Sequence, residues 1–312
     1  MDSTANNNLT INTKTVLIVS LFSIAYLLLS RFLIGYKSDQ VTLVLIFNVL
    51  FYASAITRKF ILGFTIFIVY WVIFDFMKAF PNYNFTAVHI ADLYNLEKHL
   101  FGINDNGIRV TPNEYCKLHS KTAIDVITGI FYLCWIPVPL GFAAFLFFKN
   151  KRQFLYFSLT FVLVNLLGFV VYYTFPAAPP WYIQVHGFAF TPLTAGNTAG
   201  LARFDAYFHA GIFKSIYTKG SNVFAAMPSL HSSYPVIVVY YGIKNRLGLV
   251  NVIFATVMVG IWFTAVYASH HYVLDVLAGI LCASIGIALF NFLISKVKSL
   301  QSFITSYEQV IS

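Results

Sequence analysis

Charged residues are scarce in this chain. They make up 10% of its 312 residues, and only 11 residues are acidic, whereas a soluble domain carries about 25% charged residues. In their place, 59% of the residues are hydrophobic, including 33 Phe and 20 Tyr. This composition excludes an ordinary soluble domain. It predicts an integral membrane protein whose aromatic side chains lie on lipid-facing surfaces and at the membrane interfaces.

Cysteine is also scarce. The three cysteines, Cys116, Cys134 and Cys282, are an odd number without metal-ligand spacing, so we expect neither a disulfide framework nor a zinc site. We expect no metal and no cofactor. Residues 1–14 are polar and Asn-rich, and they lack the basic start and small-residue cleavage site of a removable signal peptide. We predict a short disordered cytoplasmic tail there.

Apolar stretches that are long enough, or nearly long enough, to cross a membrane recur along the chain. We therefore predict an all-α, polytopic membrane helical bundle of about eight transmembrane helices. The sixth is short, and we extend it through Pro228 and Lys244, since proline is tolerated at a helix start. The predicted spans are residues 15–33, 41–57, 60–77, 122–148, 154–174, 229–243, 249–268 and 271–294.

The spans divide into two N-terminal helices (residues 15–59) and a six-helix core (60–295), followed by a cytoplasmic tail (296–312). The long loops 79–121 and 175–227 fall on one side, with ten basic and nine acidic residues, whereas the other side holds ten basic and two acidic residues. Short positive loops stay cytoplasmic. The long loops are therefore predicted to face the periplasm or a lumen. We interpret the net charge of +9 as a sign of how the chain is oriented in the membrane, and not of nucleic-acid binding.

Histidine is confined to one side of this predicted topology. All eight histidines fall on the non-cytoplasmic side. Either histidine is merely a loop residue here, or one water-exposed face of the protein transfers protons; we favour the second. The histidines are His89, His99, His119, His186, His209, His231, His270 and His271.

Two histidines and an aspartate occur where apolar stretches begin, in residues 227–231 (MPSLH) and 270–275 (HHYVLD). Imidazole and carboxylate groups are costly in lipid, so there they indicate function. His271 and Asp275 are four residues apart and share a helix face. A carboxylate that accepts a hydrogen bond from one ring nitrogen makes the other nitrogen a better nucleophile.

The sixth and eighth predicted spans begin on the same side of the membrane. We therefore expect His231 and His271 to face each other at similar depth. One imidazole can then attack while the other protonates a leaving oxygen and deprotonates the next acceptor. The alternative, for each residue alone, is a structural hydrogen bond between helices.

These residues carry a resemblance to a known family. Residues 228–231 (PSLH) resemble the PSGH-type motif of the type 2 phosphatidic acid phosphatase superfamily, and residues 271–275 resemble the end of its third motif, SRxxxxxHxxxD. The resemblance implies a phosphatidic-acid-phosphatase-like catalytic core of six helices. It implies that His271 becomes a phosphohistidine, that Asp275 assists it and that His231 is the acid and base.

The chain departs from the phosphatases in an informative way. Thr264 and Ala265 stand where the third motif has Ser-Arg, so its phosphate-binding arginine is missing. Residues 178–182 (APPWY) and 200–205 (GLARFD) instead resemble the branch that contains fungal inositol phosphorylceramide synthase and its bacterial relatives. That resemblance implies an enzyme that moves inositol phosphate from phosphatidylinositol, the phospholipid donor, to the hydroxyl of a ceramide-type acceptor, releasing diacylglycerol.

Two other functions remain as alternatives. A lipid-phosphate or polyprenyl-diphosphate phosphatase would use water in place of the acceptor. A non-enzymatic transporter or channel would need charge pairs near the bilayer midplane, whereas almost every ionisable residue here lies near the end of a span.

Without the third-motif arginine, another cation must bind the anionic phosphoryl group. We predict Arg203 first, because its guanidinium offers a bidentate fork; the alternative is a loop ion pair with Asp205. Lys78, beside Asp75, is a second candidate, and its alternative is a lysine that snorkels to the membrane surface. Lys214 and Lys219 are expected to be solvated.

Four further residues complete the predicted substrate site. Ser229 belongs to the PSLH motif. Trp181 and Tyr182 are predicted to anchor the chain at the membrane interface, a role that is compatible with lining a headgroup pocket. His270 is expected to support His271 or to face the lipid interface. Asp125 is expected to cap the fourth span or to pair with a nearby cation.

Overall fold

The computed structural model describes residues 11–218, 220 and 222–312. Most of this part of the chain is α-helix, which confirms the predicted all-α class. Strands β1 (Ile103–Asp105) and β2 (Ile108–Val110) form a small antiparallel hairpin. The helices are α1 (Thr13–Ile34), α2 (Ser38–Ala53), α3 (Ala55–Phe76), α4 (Ala91–Phe101), α5 (Pro112–Leu118), α6 (Thr122–Leu133), α7 (Pro137–Lys149), α8 (Lys151–Thr174), α9 (Pro180–His186), α10 (Ala202–Tyr207), α11 (Ile212–Tyr217), α12 (Leu230–Lys244), α13 (Val250–Tyr267), α14 (Val273–Lys296) and α15 (Lys298–Ile311).

Six helical segments of the described residues are long and apolar enough to cross a membrane, so the chain is a multi-pass integral membrane protein. They are α1, α3, the pair α6 and α7 taken together, α8, α13 and α14. The other two predicted spans exist as helices but are shorter, with 16 residues in α2 and 15 in α12. The sixth span ends at Lys244 as predicted but begins at Leu230, because the Ser229 side chain caps it.

The fourth predicted span is interrupted. Helices α6 and α7 are separated by residues 134–136, and α7 begins at Pro137. Proline lacks an N–H group and disfavours helical geometry in the residue before it, so it stops one helix and can start the next. The interruption gives Trp135 a position outside either helix.

The chain forms two compact units. The first comprises the described residues up to Phe80 with Leu146–Ser158 and Leu293–Ser312, and the second comprises Pro81–Phe145 and Leu159–Phe292. Helix α3 therefore belongs to the same unit as α1 and α2. The division predicted between residues 59 and 60 stays a prediction, and most of the predicted N-terminal tail lies outside the described residues.

In the first unit, the predicted C-terminal tail is the helix α15. It packs against α3 and buries Ile304 and Ile311. The Tyr307 hydroxyl donates a hydrogen bond to the Leu62 carbonyl at 2.7 Å. Sequence reasoning missed this helix because only one of its faces is apolar.

In the second unit, the beginnings of α12 and α14 lie side by side. The Ser229 N–H donates to the Asp275 carbonyl at 2.9 Å, and the Ser233 hydroxyl donates to the Gly279 carbonyl at 2.7 Å. A Cβ atom on Gly279 would lie 2.2 Å from the Ser229 carbonyl oxygen. Such close approach requires glycine, and it brings the residues at the two helix starts together.

Candidate active site

The imidazoles of His231 and His271 meet. Nδ1 of His231 lies 3.3 Å from Nε2 of His271. His231 occupies the first turn of α12, and His271 lies two residues before α14. Because α12 and α14 begin side by side, residues forty positions apart in the chain face each other, as the predicted order of the spans requires.

The other ring nitrogen of His271 is occupied. Nδ1 donates a hydrogen bond to the Ala226 carbonyl oxygen at 3.0 Å, so the lone pair of the neutral ring is on Nε2. That lone pair points towards His231. The described geometry therefore presents one imidazole nitrogen as a nucleophile beside a second imidazole that can move a proton.

Asp275 does not bind His271 in the way expected from the sequence. Its Oδ2 lies 3.6 Å from His271 Nδ1 and accepts a hydrogen bond from the Tyr272 N–H at 2.8 Å. The expected contact assumed that both residues belong to one helix, whereas α14 begins only at Val273. Asp275 is fully buried and caps the helix start. Its predicted part in the reaction stays a prediction.

Two buried polar side chains hold the backbone around His271, and sequence reasoning did not identify either as a site residue. The Asn113 amide donates to the His271 and Val266 carbonyls, both at 2.8 Å. The Glu97 carboxylate accepts from the first two N–H groups of α14, those of Val273 at 2.9 Å and Leu274 at 3.1 Å. Burial raises the pKa of Glu97 to about 7.

Two aromatic residues contact His231. The Tyr132 hydroxyl lies 3.1 Å from its Nδ1, and the Trp135 ring meets its ring edge-on with centroids 4.3 Å apart. Trp135 reaches this position from the interruption between α6 and α7. Both belong to residues 132–140 (YLCWIPVPL), an apolar stretch in which no sequence feature assigns their roles.

His270 contacts groups other than the two facing imidazoles. Its ring stacks between Tyr132 and Tyr217, at centroid distances of 5.7 and 4.4 Å. Its Nε2 donates to the Thr198 carbonyl at 3.0 Å. Because the side chain is buried among protein groups, the alternative that it faces the lipid interface is wrong. It supports the Tyr132 ring that contacts His231.

Arg203 is paired, although not with the predicted partner. Its Nε donates to the Asp125 carboxylate at 2.7 Å, and the Tyr267 hydroxyl donates to the same oxygen at 2.8 Å. Asp205 instead accepts from the N–H groups at the start of α11. Nη2 of Arg203 is buried and has no hydrogen-bond partner among the described residues. It can bind an anion.

The other predicted cations differ from Arg203. Lys78 donates to Asp75 at 2.6 Å, so in the first unit these two predicted site residues neutralise each other. Lys214 is exposed, as expected, and Lys219 lies outside the described residues. Among residues 11–218, 220 and 222–312, no group of three or more His, Cys, Asp or Glu side chains is placed to hold a metal ion.

Three predicted substrate contacts, Ser229, Trp181 and Tyr182, are buried, and their contact with substrate stays a prediction. The Ser229 hydroxyl accepts from the Ser232 N–H as the cap of α12. Trp181 and Tyr182 are buried, so the prediction of a membrane-interface anchor is wrong. The Tyr182 hydroxyl donates to the Ala189 carbonyl and accepts from the Thr191 N–H, both at 2.8 Å. It thereby fixes the loop after α9.

A family model described as the PAP2 superfamily matches residues 107–289, which include every residue around the imidazole pair except Glu97. The chain belongs to this superfamily. The family predicted from the PSLH and HHYxxD motifs is thus confirmed. No solved structure matches the chain.

Similar proteins with assigned names indicate which branch of the superfamily this chain resembles. The chain is 44% identical over 300 residues, 96% of this chain and 98% of the relative, to a protein of Bacteroides thetaiotaomicron named phosphoinositol dihydroceramide synthase. It is 29% identical over 185 residues, 55% of this chain and 38% of the relative, to inositol phosphorylceramide synthase of Candida albicans. It is 27% identical to the catalytic subunit of inositol phosphorylceramide synthase of Saccharomyces cerevisiae, over 67% of this chain and 51% of the relative. These matches confirm the predicted enzyme class, a lipid phosphotransferase.

Proposed function

We propose that the protein transfers inositol phosphate from phosphatidylinositol to the hydroxyl of a ceramide or dihydroceramide. The observation that carries the proposal is the 3.3 Å contact between His231 Nδ1 and His271 Nε2, with His271 Nδ1 held by the Ala226 carbonyl. The bacterial relative, which aligns over 96% of this chain, supports the choice of donor and acceptor.

In the first step, Nε2 of His271 attacks phosphorus and the bond from phosphorus to the diacylglycerol oxygen breaks. His231 gives a proton to that oxygen, so neutral diacylglycerol leaves. The products are diacylglycerol and an inositol-phosphoryl group bound to His271. Asp275 assists from the start of α14, where it stabilises the turn that presents the imidazole.

In the second step, the acceptor hydroxyl attacks the same phosphorus atom. His231 takes the hydroxyl proton, the bond between phosphorus and Nε2 breaks, and His271 returns to its neutral form. The acceptor carries the inositol phosphate. A single imidazole thus acts as an acid and then as a base, which the alternation of the two half-reactions requires.

We assign phosphate binding to Arg203. Its Nη2 lacks a hydrogen-bond partner among the described residues, and Asp125 orients the guanidinium through Nε. Lys78 is the weaker candidate, since its one ammonium group already donates to Asp75, whereas Arg203 pairs with Asp125 through Nε and keeps Nη2 unpaired among the described residues. We further propose that the site opens on the non-cytoplasmic side, which the asymmetry of basic residues supports.

The full chain, purified and reconstituted in phospholipid vesicles, tests the proposal with phosphatidylinositol labelled in its phosphate. We expect labelled inositol phosphorylceramide when dihydroceramide is present, and little free inositol phosphate when it is absent. Inositol phosphate released equally well without dihydroceramide would favour the phosphatase alternative.

A rapid denaturing quench during the first turnover tests the covalent step. We expect label on a peptide containing His271, stable in base and lost in acid as a phosphohistidine is, and no label in the His271→Ala variant. Transfer at the normal rate without labelled protein would contradict the two-step mechanism and indicate direct attack by the acceptor.

A further inference from the structure

The hydrogen bonds that His231 can make depend on which of its ring nitrogens carries the proton. Its Nδ1 has two neighbours, the Tyr132 hydroxyl at 3.1 Å and His271 Nε2 at 3.3 Å. A neutral imidazole carries one proton, on one of its two nitrogens. Which nitrogen of His231 carries it decides the state of the neighbouring nucleophile.

The two tautomers have opposite consequences. With the proton on Nδ1, His231 can donate to Nε2 of His271 and occupy the lone pair that must attack phosphorus. With the proton on Nε2, Nδ1 of His231 accepts from the Tyr132 hydroxyl instead. The lone pair of His271 is then free. As Nε2 of His231 gives its proton to the leaving oxygen, Nδ1 takes the hydroxyl proton of Tyr132, so the imidazole stays neutral and the negative charge passes to the Tyr132 oxygen. The second step reverses both proton transfers.

The surroundings of Tyr132 favour donation towards His231. Its side chain is fully buried, and its ring is fixed by stacking on His270. Nδ1 of His231 lies within hydrogen-bond distance of its hydroxyl, at 3.1 Å. A buried hydroxyl needs an acceptor for its proton, so we assign the proton of Tyr132 to Nδ1 of His231.

We propose that Tyr132 is a positioning residue that holds His231 as the Nε2-protonated tautomer and thereby keeps Nε2 of His271 free to attack. The role of Tyr132 in turnover rests on the proposed phosphotransferase function, but its effect on the tautomer does not. Tyr132 touches no reacting atom and acts through His231.

The variant Tyr132→Phe tests this role, because it keeps the ring that stacks on His270 and removes only the hydroxyl. Tyr241→Phe is the matched control: Tyr241 is also fully buried, and its hydroxyl bonds with Thr160 at 2.7 Å. For Tyr132→Phe we expect kcat to fall about 10- to 100-fold, with KM for the phospholipid within about twofold of normal. The control should keep its kcat.

A second readout depends on no assumed substrate. Diethyl pyrocarbonate acylates the unprotonated nitrogen of a neutral imidazole, and mass spectrometry reports its rate at each histidine. We expect slower modification of His271 in Tyr132→Phe than in the normal protein or in Tyr241→Phe. If this rate falls while no inositol phosphate is transferred by the normal protein, the inference about Tyr132 stands and the proposed function fails. Equal rates at His271 in all three proteins would overturn the inference.

The unaltered protein provides a test that needs no variant to fold. Nitrogen-15 NMR of histidine-labelled protein in nanodiscs distinguishes the two tautomers, and the His231→Asn spectrum identifies the signals of His231. We expect Nε2 of His231 to be protonated and Nδ1 to be unprotonated. A protonated Nδ1 in the substrate-free protein would overturn the proposal.

Discussion

The surroundings of His271 and of Arg203 show two ways of fixing a polar residue. His271 is held mainly through its backbone: Asn113 binds its carbonyl, and Glu97 binds the next helix start. Arg203 is held through its side chain, by Asp125. Backbone anchoring leaves Nε2 of His271 available for chemistry, whereas side-chain pairing uses part of the guanidinium. Here the polar residues that bind the main chain leave the proposed nucleophilic nitrogen unoccupied.

Removing the imidazole should have the largest effect on activity. We expect His271→Ala to lower the transfer rate by about 10³-fold or more, with little change in melting temperature, because no backbone anchor is lost. The assay is transfer of labelled inositol phosphate in vesicles. His99→Ala, an exposed histidine of α4, is the control and should retain activity. A His271→Ala protein with a lowered melting temperature and residual transfer activity would contradict the view that His271 is held mainly through its backbone.

Removing the anchor should affect activity and stability together. Asn113→Ala removes the amide donor from the His271 carbonyl and one of the donors of the Val266 carbonyl. We therefore expect the melting temperature to fall by an amount corresponding to about 1–3 kcal/mol. We also expect transfer to fall about tenfold, since the imidazole is no longer fixed. Exposed Asn104→Ala is the control. Full activity at reduced stability would show that Asn113 stabilises the fold without orienting His271.

The side-chain pair should have a smaller effect. We expect Asp125→Asn to cost about 1–2 kcal/mol of stability and to lower transfer only a few-fold, because the guanidinium remains. Arg203→Gln tests the assignment of phosphate binding. Arg203→Gln should lose more activity than Asp125→Asn. The variant that carries both changes should lose as much activity as Arg203→Gln alone. Equal losses in all three would mean that Arg203 acts only as the ion-pair partner of Asp125.

The smallest effect is expected at Glu97, and it depends on pH. Burial raises the pKa of this carboxyl from 4.5 to about 7, so the folded protein binds more protons than the unfolded chain between those values. Its contribution to stability is therefore present at low pH and decreases as pH rises from about 4.5 to 7.

Melting temperatures at pH 5 and pH 8 measure this contribution. Glu97→Gln should remove that part of the pH dependence and cost about 1 kcal/mol, since an amide can accept only one of the two N–H bonds. Glu308, which forms an ion pair with Arg152, provides the control. Glu308→Gln should change neither the stability nor its pH dependence. If the pH dependence of stability is unchanged in Glu97→Gln, a group other than Glu97 causes it.

The sequence predicted the helices and the imidazole pair because both depend on local patterns. Long apolar stretches mark spans, and the sides on which those spans begin place His231 opposite His271. The interruption before Pro137 was missed, since the residues on either side are equally apolar. The capping of α12 by Ser229 was also missed, because the helix was expected to begin at Pro228 and Ser229 was interpreted as a substrate contact.

The partners of the polar residues could not be predicted. Sequence reasoning named Asp205 as the possible ion-pair partner of Arg203 and left the cation near Asp125 unnamed, and only the packing of α6 against α10 pairs Arg203 with Asp125. Asn113 and Glu97 act on backbone atoms more than 150 positions away. Such bonds depend on where a carbonyl or N–H group faces, which no side-chain pattern encodes.

Gly279 has a consequence for how finely this site is tuned. The carbonyl oxygen of Ser229 lies where a side chain at this position would begin, so an added methyl group would push the starts of α12 and α14 apart. His231 and His271, whose nearest nitrogens lie 3.3 Å apart, would separate with them and could no longer both reach one phosphorus atom. A residue without a side chain thus sets the distance between the two imidazoles.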